Sequence, residues 1–242
     1  MSKIRSSVIE PATGTTLTLG ASGDTVAVSS DAIKLNTLKD SGGNTLFTSN
    51  GSGTLSSVNS GLSGAGPKLL QSQTADGSST VSFTSGIDST YDKYMFVFIN
   101  ISPSAEAHFS FQGSTNGGSS YGLTITSTFF RAAHNEAGTW TGLDYMADFD
   151  LAQSTSIQAL ANSIEDYADG SASGTLYLFN PSSTTYVKQW YSNMQMMQYG
   201  TSPLSQETFV AGYINDTSAV DAIQFSLNTG TFDGIIKLYG VS

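Results

Sequence analysis

The sequence predicts an all-β protein with two parts: a short-strand repeat N-terminal shaft and, after it, an antiparallel jelly-roll-like β-sandwich. Short apolar clusters recur along the chain between Gly, Ser, Asn and Asp residues, which is the pattern of strands joined by turns. The 242 residues include 25 Gly but only 12% charged residues, a composition poor in helix formers. The chain has no Cys, so burial and subunit contacts must stabilise the fold without disulfides.

Residues 1–62 hold the repeated strands of the predicted shaft and its anchoring region. One apolar residue marks each repeat: Leu17, Val26, Leu35, Leu46 and Leu55. The markers are 9, 9, 11 and 9 residues apart, and turn-forming residues fill the gaps between them. A lone strand of this kind leaves unpaired backbone groups on both edges and buries very little. We therefore expect the strands to pair with copies of themselves, within one chain or between chains.

A Gly-rich linker separates the two parts. The sequence GLSGAGP at 61–67 interrupts any strand ladder, so we place the linker at 63–68 and the sandwich at 69–242. Phe47 is the only aromatic residue before Gly61, whereas every Tyr and both Trp come after it. The first part is therefore expected to have a thin core and the second a thick one.

Strand and turn patterns alternate through the predicted sandwich. The apolar run YMFVFINIS at 94–102 predicts a central strand covered on both faces. Further strands are predicted at 82–84, 107–112, 121–130, 140–151, 174–180, 186–197, 206–215, 222–228 and 235–240. Strands in such number without crossover helices indicate two packed antiparallel sheets.

Residues 154–167 are the one segment that fits a helix. Four apolar residues fall at helical spacing after a Ser or Thr cap: Ile157, Leu160, Ala161 and Ile164. The same segment also fits a strand followed by a loop, and the sequence does not choose between the two.

The negative charge belongs to the second part. Residues 1–66 are neutral overall, and the remainder carries the net charge of −10. Such an acidic domain argues against a nucleic-acid partner, which would require a basic stripe. The N-terminus lacks the apolar stretch of a secretory signal, and no apolar run is long enough for a membrane helix. We expect a soluble protein that assembles in the cytoplasm and does not insert into a membrane.

Three passages resemble virion structural proteins of marine bacteriophages. The segment 16–59, TLTLGASGDTVAVSSDAIKLNTLKDSGGNTLFTSNGSGTLSSVN, is similar to N-terminal regions of tail-fibre-like and other virion structural proteins. The segments SGTLYLFNPSSTTYVK (173–188) and GYINDTSAVDAIQFSLNTGTFDGIIKLYGVS (212–242) resemble the last strands of jelly-roll domains in the same class of proteins. The resemblance implies a homotrimeric appendage. Its N-terminal region would attach to other virion proteins, a tail adaptor or nozzle or the capsid, and its sandwich would face the host surface.

Three functions remain open at this point. The first is a trimeric tail fibre or spike-like protein, and the second is a capsid surface fibre or decoration protein of similar build. Both place the chain on the virion after assembly in the host cytoplasm. The third is a lectin-like carbohydrate-binding module outside any virus.

Four aromatic residues are the candidates for a glycan-binding site: Trp190, Tyr191, Trp140 and Tyr145. A flat ring can stack on the apolar face of a sugar, and nearby amides and carboxylates can satisfy its hydroxyls. Alternatively, these side chains fill the space between two sheets or contact a neighbouring subunit. If Trp190 binds a glycan, Trp190→Ala should abolish the binding and leave the melting curve nearly unchanged.

No arrangement of residues points to an enzyme, a metal site or a cofactor. The letters G-x-S-x-G occur at 118–122, but in a polar loop rather than at a strand-to-helix turn. Asp144, Asp148 and Asp150 could offer oxygen ligands to Ca²⁺, although no calcium-binding motif surrounds them. We predict no catalytic residue, no metal ligand and no cofactor.

Histidine and glutamate residues give no further site. His108 alternates with Phe109 and Phe111, so we expect its side chain to face solvent or a neighbouring subunit. The glutamates of the second part are scattered along the sequence, and scatter alone does not establish the paired carboxylates of a glycosidase.

Overall fold

The computed structural model of the chain describes residues 36–52, 54–58, 66–198, 200 and 203–241. The repeats marked by Leu17, Val26 and Leu35 lie outside these residues. The chain divides into two compact units, Met1–Gly64 and Ala65–Ser242, and the division falls within the predicted linker 63–68.

The described part of the N-terminal unit is a three-stranded antiparallel sheet. Its strands are β1 (Thr37–Lys39), β2 (Thr45–Ser49) and β3 (Leu55–Val58), in the order β1-β2-β3. The Asp40 carboxylate closes the first turn by accepting hydrogen bonds from the N–H groups of Gly42 (2.9 Å) and Asn44 (2.8 Å). The strands β2 and β3 carry the predicted repeat markers Leu46 and Leu55. The shaft itself stays a prediction, because most of its repeats lie outside the described residues.

One face of this small sheet carries a row of apolar side chains, which we call the apolar row. The register pairs Leu38 with Phe47 and Phe47 with Val58, so the three residues share a face. Leu38 is 37% exposed and Val58 is 43% exposed, while Phe47 is half-buried. Burial of the row against another surface would therefore stabilise the sheet.

The C-terminal unit is an antiparallel sandwich with twelve strands among its described residues. They are β4 (Lys68–Ser78), β5 (Thr80–Phe83), β6 (Lys93–Pro103), β7 (Ala107–Ser114), β8 (Ile125–Asn135), β9 (Thr141–Tyr145), β10 (Gln158–Ile164), β11 (Ala172–Phe179), β12 (Lys188–Gln198), β13 (Leu204–Ile214), β14 (Ala222–Leu227) and β15 (Phe232–Val241). The described residues contain strands and no helix, so the all-β prediction is confirmed.

The twelve strands form two packed layers within one nearly closed sheet. The larger layer has the order β4-β15-β6-β11-β12-β13-β8-β9, and the smaller has the order β10-β7-β14-β5. Strand β10 joins β12 through the single residue pair Ile164 and Gln198. The predicted antiparallel sandwich is confirmed at this level.

The core lies between the two layers and consists largely of Phe side chains. Phe225 of β14 contacts Phe96 and Phe98 of β6 edge to face, with 5.0 Å between ring centroids in each pair. Phe98 contacts Phe109 of β7 in the same way at 5.1 Å. Such pairs contribute about 0.5–1.5 kcal/mol beyond the area they bury. These contacts hold the larger layer against the smaller one.

Strand β6 shows where the prediction for the apolar run at 94–102 is right and where it is wrong. The strand is central, because it pairs with β15 on one side and β11 on the other. It is not fully covered on both faces: Met95, Val97 and Ile99 are half-buried on the outer face. Outer-face neighbours on β11 and β15 shield them in part, since Met95 lies between Tyr177 and Tyr239.

Residues 154–167 form no helix, and the alternative of a strand followed by a loop is correct. Strand β10 runs along β7, and its register shifts between Ala159 and Ala161 and again between Ala161 and Ile164. Ser163 lies in the left-handed region with φ of 49°. Such irregularities turn consecutive side chains toward the same face of a strand. The buried apolar residues of β10 therefore do not follow strict alternation, and their spacing also fits a helix.

The sequence does not predict β4, which is an edge strand with many polar side chains. Its amide groups reach across to the smaller layer: Gln71 Nε2 donates to the carbonyl of Ser85 at 2.7 Å, and Gln73 Nε2 to that of Ser82 at 2.8 Å. These hydrogen bonds need no apolar alternation, which explains why the strand pattern is weak here.

Candidate functional site

A cleft of about 380 Å³ lies on the outer face of the larger layer, where β11, β12 and β13 run side by side. It is lined by Phe179, Gln189, Trp190, Tyr191, Ala211, Gly212 and Tyr213. The register places Tyr191 opposite Ala211 and Gln189 opposite Tyr213. Side chains alternate regularly along β12 and β13, so the small Ala211 and the larger Tyr191, Gln189 and Tyr213 lie together on the outer face.

Ala211 creates the space. It is exposed on the outer face, between Tyr191 of β12 and Thr128 of β8. The side chain of Ala211 is only a methyl group, whereas aromatic rings lie beside it. Ala211 therefore forms the low floor of the cleft. A longer side chain at this position would fill the cleft.

Tyr191 forms one wall of the cleft, and its ring is held by two other aromatic rings. It stacks on Tyr177 with 5.0 Å between centroids, and it lies tilted against Phe179 at 5.8 Å. The side chain is nevertheless 45% exposed. These contacts restrict the rotamers of an aromatic ring that is open to solvent.

Tyr213 forms another wall, and a polar network holds its hydroxyl group. Gln153 Nε2 donates to the Tyr213 hydroxyl at 3.4 Å and to Thr126 Oγ1 at 2.6 Å. Gln153 Oε1 accepts a hydrogen bond from Asn215 Nδ2 at 2.7 Å. The backbone of Gln153 has φ of 51°, a conformation that persists in non-Gly residues only where the surroundings fix it. These hydrogen bonds hold the Tyr213 wall of the cleft in place.

A second cleft of about 290 Å³ adjoins the first and shares Phe179 and Gln189 with it. Asn180, Tyr186 and Val187 complete its lining. We call the two together the aromatic cleft. Among the described residues that line it, none carries a formal charge, and the polar groups are amides and phenol hydroxyls. The site combines stacking surfaces with neutral hydrogen-bonding groups.

The structure corrects the prediction for Trp190. Its side chain is 2% exposed, and its ring packs edge to face against Phe111 with 4.8 Å between centroids. Because side chains alternate along β12, Trp190 points into the sandwich while its neighbours Gln189 and Tyr191 point outward. Trp190 is a core residue that lies beneath the cleft. Its ring is not accessible, so it cannot serve as a stacking platform.

Trp140 and Tyr145 lie outside the aromatic cleft. Tyr145 belongs to the edge strand β9, which β8 and β13 separate from β12 in the larger layer. The Tyr145 hydroxyl donates to the Asp150 carboxylate. The Arg131 guanidinium lies over the Trp140 ring at 5.5 Å and forms an ion pair with Asp144 at 3.4 Å. Of the four predicted aromatic residues, only Tyr191 offers its ring to a ligand in the cleft.

The structure brings no metal-binding group together among its described residues. Asp144 pairs with Arg131 and Asp150 accepts from Tyr145, so two members of the predicted acidic cluster have other partners. The segment 118–122 is a loop, and Gly118 has φ of 82° there.

His108 is half-buried, so its side chain faces solvent less than predicted. Its Nδ1 accepts a hydrogen bond from the N–H of Ser163 at 2.8 Å, and its ring meets Phe149 edge to face at 5.0 Å. Burial lowers the pKa of the imidazole, against the opposing charge of Glu106. The segment that carries Phe149 covers this face of β7, and nothing local in the sequence announces that contact.

Two buried ionisable groups lie apart from the lining of the cleft. Neither carboxylate oxygen of Glu165 has a hydrogen-bond partner within the described part of the chain. Burial raises the pKa of this carboxyl and the charge of Asp166 adds to the rise, whereas the nearby backbone N–H groups of Asp166 and Gly200 oppose it. Lys188 donates from Nζ to the carbonyls of Tyr186 at 2.8 Å and Asp216 at 3.1 Å, and burial lowers the pKa of its ammonium group.

The sequence does not reveal the cleft residues other than Trp190 and Tyr191, and four of the missed ones shape the space around Tyr191: Phe179, Gln189, Ala211 and Tyr213. Phe179 carries a usable signal, because it follows Tyr177 at the spacing of one strand face in GTLYLFN. The other three become neighbours only through the pairing of β12 with β13. That pairing is a property of the fold, and the local sequence does not contain it.

No family model, no curated protein and no solved structure matches this chain significantly. Across the described residues, no helix has the length and apolarity needed to cross a membrane. The geometry of the described residues therefore carries the functional conclusion.

Proposed function

We propose that this protein is a structural and adhesive component of a bacteriophage virion, a trimeric tail-fibre or spike-like appendage anchored by its N-terminal region. The apolar row of Leu38, Phe47 and Val58 carries the proposal. These side chains lie on one face of a three-stranded sheet, where Leu38 and Val58 are exposed and Phe47 is half-buried. A second and a third copy of the same row would supply the missing core.

The energy available from this contact is large compared with the stability of a small sheet. Full burial of one Val, Leu or Phe side chain contributes about 1.5–3 kcal/mol, and these residues begin with part of that burial. Each of three chains would contribute one row to a shared core. The N-terminal unit carries no net charge of its own to oppose this association, because residues 1–66 are neutral overall.

The strand order of the second unit supports a jelly-roll appendage domain. The orders β4-β15-β6-β11 and β5-β14-β7-β10 are those of the two four-stranded sheets of a jelly roll. Strands β12, β13, β8 and β9 extend the first sheet, and β12 and β13 carry most of the aromatic cleft. Jelly rolls serve viral surfaces and lectins, although a fold alone does not establish a function.

We infer binding rather than catalysis at the outward-facing surface. The aromatic cleft offers rings, amides and hydroxyl groups, which recognise a ligand through stacking and hydrogen bonds. This chemistry suits a domain that contacts a host surface.

Light scattering after size-exclusion chromatography tests the assembly. We expect the full chain to have about three times the mass of one 25.3 kDa chain at micromolar concentration. Phe47→Asp places a charge in the apolar row and should shift the mass toward that of a single chain. Leu143→Asp is the matched control, because Leu143 is 75% exposed on the sandwich, and its mass should not change. A wild-type chain that is monomeric in this assay would contradict the proposal.

Antibody labelling of particles that contain the chain tests the location. Label on the tail is the expected result, label on the capsid surface would support the decoration protein instead, and particles without label would contradict a virion role.

A further inference from the structure

The chemistry of the aromatic cleft indicates one class of ligand. We propose that it binds neutral pyranose residues of a cell-surface glycan, with Tyr191 as the stacking platform. The inference rests on the proposed function, since it names the ligand that the outward-facing sandwich would contact. It also moves the glycan site from Trp190, Trp140 and Tyr145 to the outer face of β11, β12 and β13.

Tyr191 has the properties of a sugar platform. The C–H face of a pyranose packs on an aromatic ring, and an ordered ring loses little freedom when the sugar binds. The Tyr191 ring is already held by Tyr177 and Phe179, yet 45% of the side chain is exposed. The low floor at Ala211 leaves space for a sugar ring beside this platform.

The polar groups of the cleft match the hydroxyl groups of a sugar. Amides both donate and accept, as sugar hydroxyls require. Among the described residues, no group forms a hydrogen bond with the side-chain amide of Gln189 or of Asn180, so both are free for a ligand. The Tyr213 hydroxyl accepts a hydrogen bond from Gln153 and keeps its own proton for donation. A purely aliphatic ligand would bury these groups without partners, which costs free energy.

The absence of charge in the lining selects a neutral sugar. An anionic saccharide would need a basic group, and no residue of the described lining provides one. The chain beyond residue 66 holds 5 basic and 15 acidic residues, so its field also repels polyanions. The adjoining volumes of about 380 and 290 Å³ are shallow and open to solvent, and together they offer room for more than one ring.

The test uses the full-length protein and an array of neutral, sialylated and uronic-acid oligosaccharides, followed by calorimetry with the best neutral ligand. We expect binding to neutral oligosaccharides and not to the charged ones. Tyr191→Ala removes the platform and Ala211→Leu fills the floor, and each should weaken binding at least tenfold. Tyr145→Ala is the matched control, an exposed tyrosine on the same face two strands beyond β13, and it should bind within twofold of wild type.

Melting curves show that the variants are folded, and Ala211→Leu should melt close to wild type because the position is exposed. The proposal is overturned if no neutral oligosaccharide binds, if charged oligosaccharides bind better, or if the two cleft variants bind like wild type. Loss of binding in Tyr145→Ala would also overturn it, because that result would place the site at the β9 edge. None of these outcomes affects the trimer mass, so a failure here is separate from a failure of the proposed assembly.

Discussion

Replacing Trp190 by Ala removes one of the largest side chains buried between the two layers of the sandwich. The substitution deletes the edge-to-face contact with Phe111 and leaves a cavity lined by β12 and β7. Truncation of a buried Trp to Ala costs about 3–5 kcal/mol. In a domain of this size each kcal/mol lowers the melting temperature by about 2–4 °C, so we expect a decrease of about 6–20 °C.

Trp190→Phe distinguishes loss of packing from loss of the indole. The indole Nε1 is buried without a hydrogen-bond partner in the described part of the chain. Phe keeps a ring against Phe111 and removes this unpaired donor, whose burial is unfavourable. We therefore expect Trp190→Phe to lose less than half of the stability that Trp190→Ala loses.

Differential scanning calorimetry on the three proteins provides the measurement, with Tyr191→Ala as the control on the opposite face of the same strand. Tyr191→Ala should lose much less stability than Trp190→Ala, because the Tyr191 side chain is already 45% exposed. If Trp190→Ala melts within about 2 °C of wild type, Trp190 is not part of the core and the inward direction assigned to it is wrong.

Two further predictions concern pH. The raised pKa of Glu165 means that the folded protein holds a proton which the unfolded chain releases above about pH 4.3, so stability falls as pH rises beyond that value. In thermal melts, Glu165→Gln should be more stable than wild type at pH 7 but not at pH 4. Glu136 is exposed, so the control Glu136→Gln should gain no stability at either pH. Equal melting of both variants at pH 7 would refute the burial of Glu165. The lowered pKa of His108 means that the unfolded chain takes up a proton first below about pH 6.5, so stability is lost as pH falls through that value. Urea titrations between pH 5 and 7 should show that wild type loses stability relative to His108→Gln as pH falls. A stability difference between the two proteins that does not change with pH would refute the prediction.

Local sequence predicts much of the strand content, because alternation is a property of consecutive residues. The segments 174–180 and 222–228 correspond closely to β11 (Ala172–Phe179) and β14 (Ala222–Leu227). Irregular strands defeat the same reasoning. In β10, two register shifts and the left-handed Ser163 produce an apolar spacing that a helix would also give.

The candidate site depends on which side chains of a strand face outward and on which strands pair. The sequence predicts that neighbouring side chains alternate between the two faces, but it does not predict the pairing. Trp190 and Tyr191 are adjacent, and a strand must place one inside and the other outside. The sequence WY does not say which, whereas the structure shows Trp190 against Phe111 and Tyr191 in solvent. Nothing in the sequence marks Ala211 as a site residue. It matters because it lies directly opposite Tyr191 on the adjacent strand.

Sedimentation equilibrium of the full chain beside a variant that lacks residues 1–64 tests most directly whether the N-terminal unit holds the copies together. We expect the full chain to sediment as a trimer and the shortened chain, which keeps the whole sandwich, to sediment as a folded monomer. A shortened chain that remains trimeric, or a full chain that sediments as a monomer, would contradict this role of the N-terminal unit.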